Sequence, residues 1–410
     1  MKCTPTIRFE GFKDDWKQRK LGEIASSFEY GLNAAAKEYD GENKYIRITD
    51  IDDNTHEFST ENLTSPDTDL DGAENYKLTE GNILFARTGA SVGKSYIYKS
   101  SDGLVYYAGF LIRAKIKEEY DAEFIFQNTL TDRYNTYITV TSQRSGQPGV
   151  NAQEYSEFKI QVPRKEEQTK IGSYFYDLDR LITFHRHKYE RLKSLKQAML
   201  QKMFPREDEL VPEIRFEGFT EPWEQRKWCD TVDISTEMVD PTSGEYDDMP
   251  HIAPGNIESF TGRILDNVKS VKEEQLISGK FRFRPGDVVY GKINPQLGKY
   301  FYASADGLTS ADAYVFNGKN GVTQKFLFSL LQTEDFFKYS VSVSKRSGMP
   351  KINRDELNAY GFLAPKEEEQ EQIGSFLLEI DNLITLHQRK YEKLLDCKKA
   401  FLAKMLGGEC

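Results

Sequence analysis

Two pairs of polar loops carry side chains that could contact another molecule. They span residues 87–94 and 143–151 in the first half of the chain, and 291–299 and 344–353 in the second half. Arginine, lysine, glutamine, asparagine and hydroxyl side chains make hydrogen bonds to base edges and to phosphates. We therefore predict DNA contacts in these loops, with ordinary solvation of polar loops as the alternative. The candidate residues are Arg87, Thr88, Ser91, Lys94, Gln143, Arg144, Lys292, Asn294, Lys299, Lys345 and Arg346.

The motif Arg-Ser-Gly-x-Pro occurs in one loop of each half, at 144–148 and 346–350. One interpretation is that Arg144 and Arg346 contact phosphates. The other is a turn, built on the glycine and proline, that anchors each domain to a helix while the arginine pairs with a helix carboxylate. Both interpretations stay open on the sequence.

The glycine-containing segment 89–95 (GASVGKS) is one residue shorter than the phosphate-binding pattern GxxxxGK[ST]. Its counterpart at 294–300 (NPQLGKY) lacks the first glycine and the hydroxyl that would hold magnesium. Both segments contain a Gly-Lys pair, whose lysines are Lys94 and Lys299. A lysine that contacts a DNA phosphate explains this shared pair better than a nucleotide site does.

The sequence shows no pattern of a catalytic or metal site. The five histidines include no HExxH spacing, and the four cysteines include no CxxC pair. We find no glycine-rich strand–turn–helix for a dinucleotide or S-adenosylmethionine, and no Asn-Pro-Pro-aromatic tetrapeptide. We therefore predict a chain without catalytic residues, metal or cofactor of its own.

Charge and hydropathy limit the environment in which the chain works. The net charge of −10 is unusual for a nucleic-acid binder, but residues 52–80 hold nine acidic side chains and one lysine, so the charge is segregated. No stretch approaches the roughly 20 apolar residues that span a bilayer. Scattered cysteines fit a reducing compartment. We expect a cytoplasmic protein that does not contact membranes.

The elements that must position the loops are two long helices with similar sequences. Residues 163–204 recur at 365–406 with the same IGS, LIT and Lys-Tyr groups. Apolar residues alternate at spacings of four and three, which is typical of a coiled coil. The alternative is a pair of unrelated amphipathic helices, each packed on its own domain. The predicted seam, in which the histidines are packed side chains rather than ligands, is Ile171, Phe175, Leu178, Ile182, His185, Tyr189, Ile373, Leu377, Ile380, Ile384, His387 and Tyr391.

A second repeat predicts the topology. The element at 5–20 (PTIRFEGFKDDWKQRK) recurs at 212–227 (PEIRFEGFTEPWEQRK), directly after the first long helix. The order element, domain, helix is therefore cyclic, and it makes structural sense if the end of the second helix returns to the first element. The two helices must then be antiparallel.

The predicted fold class is α+β, with two recognition domains related by pseudo-two-fold symmetry and separated by two long antiparallel coiled-coil helices. Within the domains, residue patterns predict strands at 45–51, 110–116 and 249–257 and a helix at 122–136. The predicted boundaries are domain 1 at 1–162 with the element 5–20, helix 1 at 163–204, the linker with element 212–227 and domain 2 at 205–364, and helix 2 at 365–410.

The chain resembles the specificity (S) subunits of type I restriction–modification systems. The resemblance covers essentially the full length. It is carried by the duplicated IRFEGF elements, the segment 80–93, the Arg-Ser-Gly-x-Pro loops and the duplicated long helices. It implies two target-recognition domains, each of which reads one part of a bipartite, asymmetric double-stranded DNA sequence.

The resemblance also implies partners. Two modification subunits would supply adenine-N6 methylation from S-adenosylmethionine, and two restriction subunits would supply ATP- and magnesium-dependent translocation and cleavage. The helices and the repeated elements would dock these subunits, and the chain itself would carry no catalytic residue. The rivals are a free-standing nuclease or methyltransferase with two reading domains, and a bivalent scaffold without a DNA role.

Overall fold

The computed structural model describes residues 5–143, 146–345 and 348–406. The chain forms two compact units. Unit 1 contains residues 1–186 and 389–410, and unit 2 contains residues 187–388. Each unit therefore includes one half of each long helix in addition to its own sheets.

The two long helices are Lys165–Lys202 and Glu367–Met405. Each begins two residues after a proline and has glutamates in its first turn and a lysine in its last turn. These charges oppose the helix dipole at both ends. The prediction of two long duplicated helices is confirmed.

The centre of unit 1 is a four-stranded antiparallel sheet whose strand order is Ala25–Tyr30, Leu111–Ile116, Ile83–Ala86 and Ser95–Ile97. The strand Ile83–Ala86 is fully buried and pairs with its longer neighbour from Ile83–Ala114 to Ala86–Leu111. The other strands of unit 1 are Lys17–Lys20, Ala35–Glu38, Lys44–Ile46, Thr64–Asp67, Val105–Tyr107 and Lys159–Val162, and its short helices are Leu21–Ile24, Ala122–Asn128, Asp132–Thr141 and Ala152–Ser156.

Unit 2 repeats this sheet, with the strand order Val232–Ile234, Ala313–Gly318, Val288–Gly291 and Tyr300–Tyr302. The buried strand Val288–Gly291 takes the place of Ile83–Ala86. The other strands are Glu224–Lys227, Met238–Val239, Pro250–His251, Lys269–Ser270, Lys280–Phe283, Gly307–Thr309 and Gly361–Ala364, and the short helices are Trp228–Thr231, Gln324–Leu330, Glu334–Ser344 and Arg354–Asn358.

The repeated element closes each unit in the same way. Its last four residues form a strand that pairs antiparallel with the strand before the long helix, Lys17–Lys20 with Lys159–Val162 and Glu224–Lys227 with Gly361–Ala364. The tryptophan that precedes the strand is buried in both units, at 7% exposure for Trp16 and 2% for Trp223.

Halves of the two long helices pack together inside each unit and run in opposite directions there. In unit 1, the Lys398 ammonium lies 2.6 Å from Asp179 Oδ1, and one turn away the rings of Tyr174 and Phe401 lie 5.5 Å apart. In unit 2, Lys196 pairs with Asp381, which are the equivalent positions. The buried ion pair with Asp381 therefore explains why a lysine, Lys196, stands at an apolar position of the helix pattern. This packing excludes two helices that each pack alone on their own domain.

The first seam residues of each helix are buried in the core of their own unit, beside the end of the other helix. His185, Tyr189, His387 and Tyr391 are half-buried. A seam that continues along the whole length of both helices stays a prediction. The buried seam residues are Ile171, Phe175, Leu178, Ile182, Ile373, Leu377, Ile380 and Ile384.

The strand at 110–116 is confirmed as Leu111–Ile116, but the predicted helix at 122–136 is wrong in extent. The structure has two helices there, Ala122–Asn128 and Asp132–Thr141. The break occurs because the Thr131 hydroxyl accepts the N–H of Tyr134 at 3.3 Å and so starts a new helix.

Two predicted strands are shorter than expected. The strand at 45–51 ends at Ile46, because the Asp50 carboxylate accepts the Arg47 N–H at 2.9 Å and turns the chain. The strand at 249–257 is reduced to Pro250–His251 and is followed by a short 3-10 turn that starts at Pro254.

Candidate DNA interface

The structure brings the two predicted loops of unit 1 together. Thr88 forms an isolated antiparallel bridge with Gly149. On either side, the Gly89 N–H donates to the Pro148 carbonyl at 3.1 Å, and the Val150 N–H donates to the Arg87 carbonyl at 2.9 Å. The segments that follow strand Ile83–Ala86 and precede helix Ala152–Ser156 thus form one paired surface.

Unit 2 has the same pairing at the equivalent positions. Ile293 bridges Lys351, the Asn294 N–H donates to the Pro350 carbonyl at 2.8 Å, and the Ile352 N–H donates to the Lys292 carbonyl at 3.0 Å. The paired loops are named here the reading face of each unit, composed of residues 87–94 with 148–151 in unit 1 and 292–299 with 350–353 in unit 2.

Buried tyrosine hydroxyls hold the base of the unit 1 reading face. Tyr155 donates to the carbonyl of Ala86 at 2.7 Å, and Tyr134 donates to the carbonyl of Gly93 at 2.9 Å. Burial raises the pKa of both phenols, so both stay protonated donors. The loops are therefore fixed to the buried core of the unit.

The first residue of each reading face is a cation that lies over an aromatic ring. The guanidinium of Arg87 is 5.0 Å from the ring centre of Tyr30, and the ammonium of Lys292 is 5.0 Å from that of Tyr314. A cation in this geometry gains attraction from the ring while its remaining donors can face a ligand. Each tyrosine lies on a strand other than the one that leads to its cation, so no short spacing in the sequence connects the two residues.

Lys94 and Lys299 have partners inside their own units. The Lys94 ammonium contacts the carbonyl of Ile51 at 3.5 Å and the carboxylate of Asp53, and Lys299 donates to the carbonyl of Ile257. The glycine before each lysine has a positive φ, 89° at Gly93 and 54° at Gly298, which glycine adopts at low cost. A conformational role therefore also explains the shared Gly-Lys pair, and the phosphate contact stays a prediction.

The remaining candidates differ in accessibility. Gln143 and Lys345 are exposed, whereas Ser91 and Asn294 are half-buried. Asn294 has a left-handed backbone (φ 51°), which positions the turn Pro295–Leu297. Arg144 and Arg346 lie outside the described residues, so the choice between phosphate contact and anchoring turn stays open.

Each reading face is linked to a long helix through one acidic residue, Asp52 in unit 1 and Glu258 in unit 2. Asp52 pairs with Arg186 at 2.9 Å in unit 1, and the Glu258 carboxylate accepts the side-chain amide of Gln388 at 3.2 Å in unit 2. Asp52 and Glu258 follow Ile51 and Ile257, whose carbonyls hold the lysines of the loops. The loops and helices are thus linked by equivalent contacts in both units.

Across the described part of the chain, no group of three or more histidine, cysteine, aspartate or glutamate side chains could hold a metal ion. In the same residues no helix is both long and apolar enough to span a membrane. The cations Arg87 and Lys292 on the two reading faces suit contacts to an anionic ligand.

Comparison with known proteins adds the family. The type I restriction modification DNA specificity domain matches this chain twice, at residues 13–194 and 220–396. The chain is 24% identical over 384 residues to the type I restriction enzyme EcoDI specificity subunit of Escherichia coli, across 88% of this chain and 80% of that protein. It is 23% identical over 351 residues to the MjaVIII specificity subunit of Methanocaldococcus jannaschii, across 81% and 80%.

The fold has a solved counterpart. The S subunit of a type I restriction-modification system from M. genitalium superposes with a TM-score of 0.72 and 12% identity, across 98% of this chain and 99% of that one. The double family match accounts for the duplicated elements, the duplicated helices and the two equivalent reading faces. The chain belongs to the type I restriction–modification specificity subunits, in which two target-recognition domains recognise a DNA sequence.

Proposed function

We propose that each unit reads one half of a bipartite, asymmetric DNA site through its reading face. The observation that carries this proposal is the equivalent pairing of two polar loops in both units, Thr88 with Gly149 and Ile293 with Lys351. One recognition surface built twice on one chain matches a site built of two parts.

The two half-sites differ because the faces differ. Arg87 presents a planar guanidinium, which pairs with the two acceptors of guanine, whereas Lys292 presents a compact ammonium. Thr88 is replaced by Ile293, which exchanges a hydroxyl for an apolar group. The proposed DNA-contacting residues remain those predicted from the sequence, including Ser91, Lys94, Gln143, Asn294, Lys299 and Lys345.

The long helices set the gap between the half-sites. Each helix supplies residues to both units, and within each unit the helices are joined by a buried lysine–aspartate pair and a shared apolar core. An α-helix rises 1.5 Å per residue, so the number of residues in the two helices fixes the length of the gap.

The same helices dock the modification subunits. Leu181 and Phe184 are each 50% exposed, and their equivalents Leu383 and Leu386 are 38% and 44% exposed. Apolar side chains exposed at equivalent positions in both units provide two similar surfaces, as docking of two copies of one partner requires. The S-adenosylmethionine, ATP and magnesium of the complex belong to its modification and restriction subunits, and the complex works in the cytoplasm.

Single-base scanning of the DNA site tests the assignment of each unit to one half. The complex of this chain with its modification subunits is titrated with duplexes that carry one base substitution each. We expect Arg87→Gln to relax discrimination by about 1–3 kcal/mol at positions in one half only, and Lys292→Gln to act in the other half only. Relaxation by both variants at the same positions would contradict the proposal.

A further inference from the structure

The two units differ in the charge beside their reading faces. Residues 344–354 contain Lys345, Arg346, Lys351 and Arg354 and no acid. The equivalent segment 142–152 contains one cation, Arg144, and no acid. The excess positive charge of unit 2 lies in the loop that pairs with Lys292.

Lys292 lies over the ring of Tyr314, and two further cations of unit 2 lie close in the chain to the residue that the Tyr314 hydroxyl contacts. The Lys292 ammonium lies 5.0 Å from the ring centre, and the tyrosine hydroxyl donates to the Ile352 carbonyl at 3.3 Å. Lys351 directly precedes Ile352 in the chain, Arg354 follows it by two residues, and both side chains are exposed. The Arg354 guanidinium donates to the carbonyl of Ser235 at 3.3 Å, which holds it beside the sheet.

These positive charges act on one another. Burial lowers the pKa of the Lys292 ammonium. The positive charges of Lys351 and Arg354 lower this pKa further, and the negative charge of Asp312 raises it. Cations held close together by the fold are mutually unfavourable until an anion binds between them. The corresponding positions of unit 1 are Arg87 with Gly149 and Ala152, so its face has one cation there.

We propose that Lys351 and Arg354, beside the reading residue Lys292, form a binding site for DNA backbone phosphates that has no counterpart in unit 1, so that unit 2 contributes the larger share of the electrostatic affinity. Phosphate contacts by lysine and arginine release counterions and carry no sequence information. The inference rests on the proposed function, because it assumes that the reading faces bind DNA.

The test is the salt dependence of DNA binding by the complex with its modification subunits. The logarithm of the association constant is plotted against the logarithm of salt concentration for Lys351→Gln, Arg354→Gln and the double variant. We expect each single variant to lower the slope magnitude by about 0.9 and the double variant by about 1.8. Affinities for target and random DNA should fall by the same factor, and Lys351→Arg with Arg354→Lys should restore the slope.

Two comparisons complete the design. Lys319→Gln removes a cation just past the other end of strand Ala313–Gly318, five residues from Tyr314 or about 17 Å at 3.3 Å per residue, and should leave the slope unchanged. Arg87→Gln in unit 1 should lower the slope by at most about 0.9, which is half of the loss expected for the double variant in unit 2.

The outcomes separate this inference from the proposed function. DNA binding with an unchanged slope in the double variant would overturn the phosphate site. Loss of base discrimination without a change in slope would also overturn it, because the cations would then be reading bases. Failure of the unsubstituted complex to bind DNA at all would instead overturn the proposed function.

Discussion

The backbone amide of Ile7 donates a hydrogen bond of 3.1 Å to the carbonyl of Lys404, near the end of the second long helix. In unit 2 the equivalent bond joins Ile214 to Lys202 at 2.9 Å. The second pair is separated by a short linker in the chain, whereas the first is formed by the two ends of the chain. The cyclic order of repeats predicted from the sequence is therefore present as the same contact in both units.

A circular permutant tests this equivalence. Residue 410 is joined to residue 1, and new ends are made between Glu207 and Asp208, in the linker that follows the first helix. We expect the free energy of unfolding in urea to change by less than about 1 kcal/mol, because the cost of loop closure varies slowly with loop length. Loss of cooperative unfolding, or a changed DNA site, would contradict the equivalence of the two connections.

Buried ion pairs attach each repeated element to the start of a long helix. Arg8 makes two hydrogen bonds, of 2.8 and 2.7 Å, to Glu167, whose side chain is 2% exposed. We expect Arg8→Ala to destabilise the protein by about 3–5 kcal/mol, because it leaves a buried carboxylate without a partner. Urea unfolding measures this, and Arg215→Ala should have a similar effect through Glu369.

A surface pair provides the control for this prediction. Lys338 and Glu334 form a salt bridge with both side chains more than 60% exposed. Lys338→Ala should change stability by less than about 0.5 kcal/mol. A loss of stability in Arg8→Ala as small as that in Lys338→Ala would show that the Arg8 contact is unimportant for folding.

The titration of Glu123 should make the stability of the protein depend on pH. Its carboxylate and that of Asp179 both accept from the Gln127 side-chain amide, at 2.9 and 2.8 Å. Burial raises the pKa of Glu123 from 4.5 to about 7. Below pH 4.5 the group is protonated in both states and contributes nothing. Between pH 4.5 and 7 it ionises in the unfolded state first, so it lowers stability as the pH rises.

The variant Glu123→Gln keeps the shape and removes the titration. We expect it to equal the unsubstituted protein near pH 4 and to exceed its stability by about 3 kcal/mol at pH 8, since each unit of pKa is worth about 1.4 kcal/mol. Urea unfolding at a series of pH values measures the difference. A difference that is constant across this range would exclude the titration of Glu123 as its cause.

The repeats made the architecture predictable, because a 3.5-residue apolar pattern and two offset duplications constrain helices and connectivity directly. Local polar contacts made the interior of the domains harder to predict. Asp50 ends a strand and Thr131 divides a helix by accepting hydrogen bonds from nearby backbone N–H groups, and these contacts override the surrounding pattern. The available signals were Asp50, four residues after the strand, and Thr131, directly before Asp132.

The reading faces were predictable in part. Residue types indicated the loops, but their pairing joins segments about 60 positions apart and required the fold. Tyr30 and Tyr314 were missed because they reach the cations from other strands. Lys351 and Arg354 had a signal, since the equivalent positions in the first half are Gly149 and Ala152.

The most direct test of the central claim is the methylation site of the assembled system after both long helices are lengthened by one heptad. The insertions are placed after Arg186 and after Gln388, at the boundaries of the units, so that the contacts of these residues with Asp52 and Glu258 are kept. Seven residues add about 10 Å, which corresponds to about three base pairs. Sequencing of methylated adenines should show both half-sites unchanged and the gap widened by about three base pairs. A changed half-site sequence, or an unchanged gap, would contradict the account.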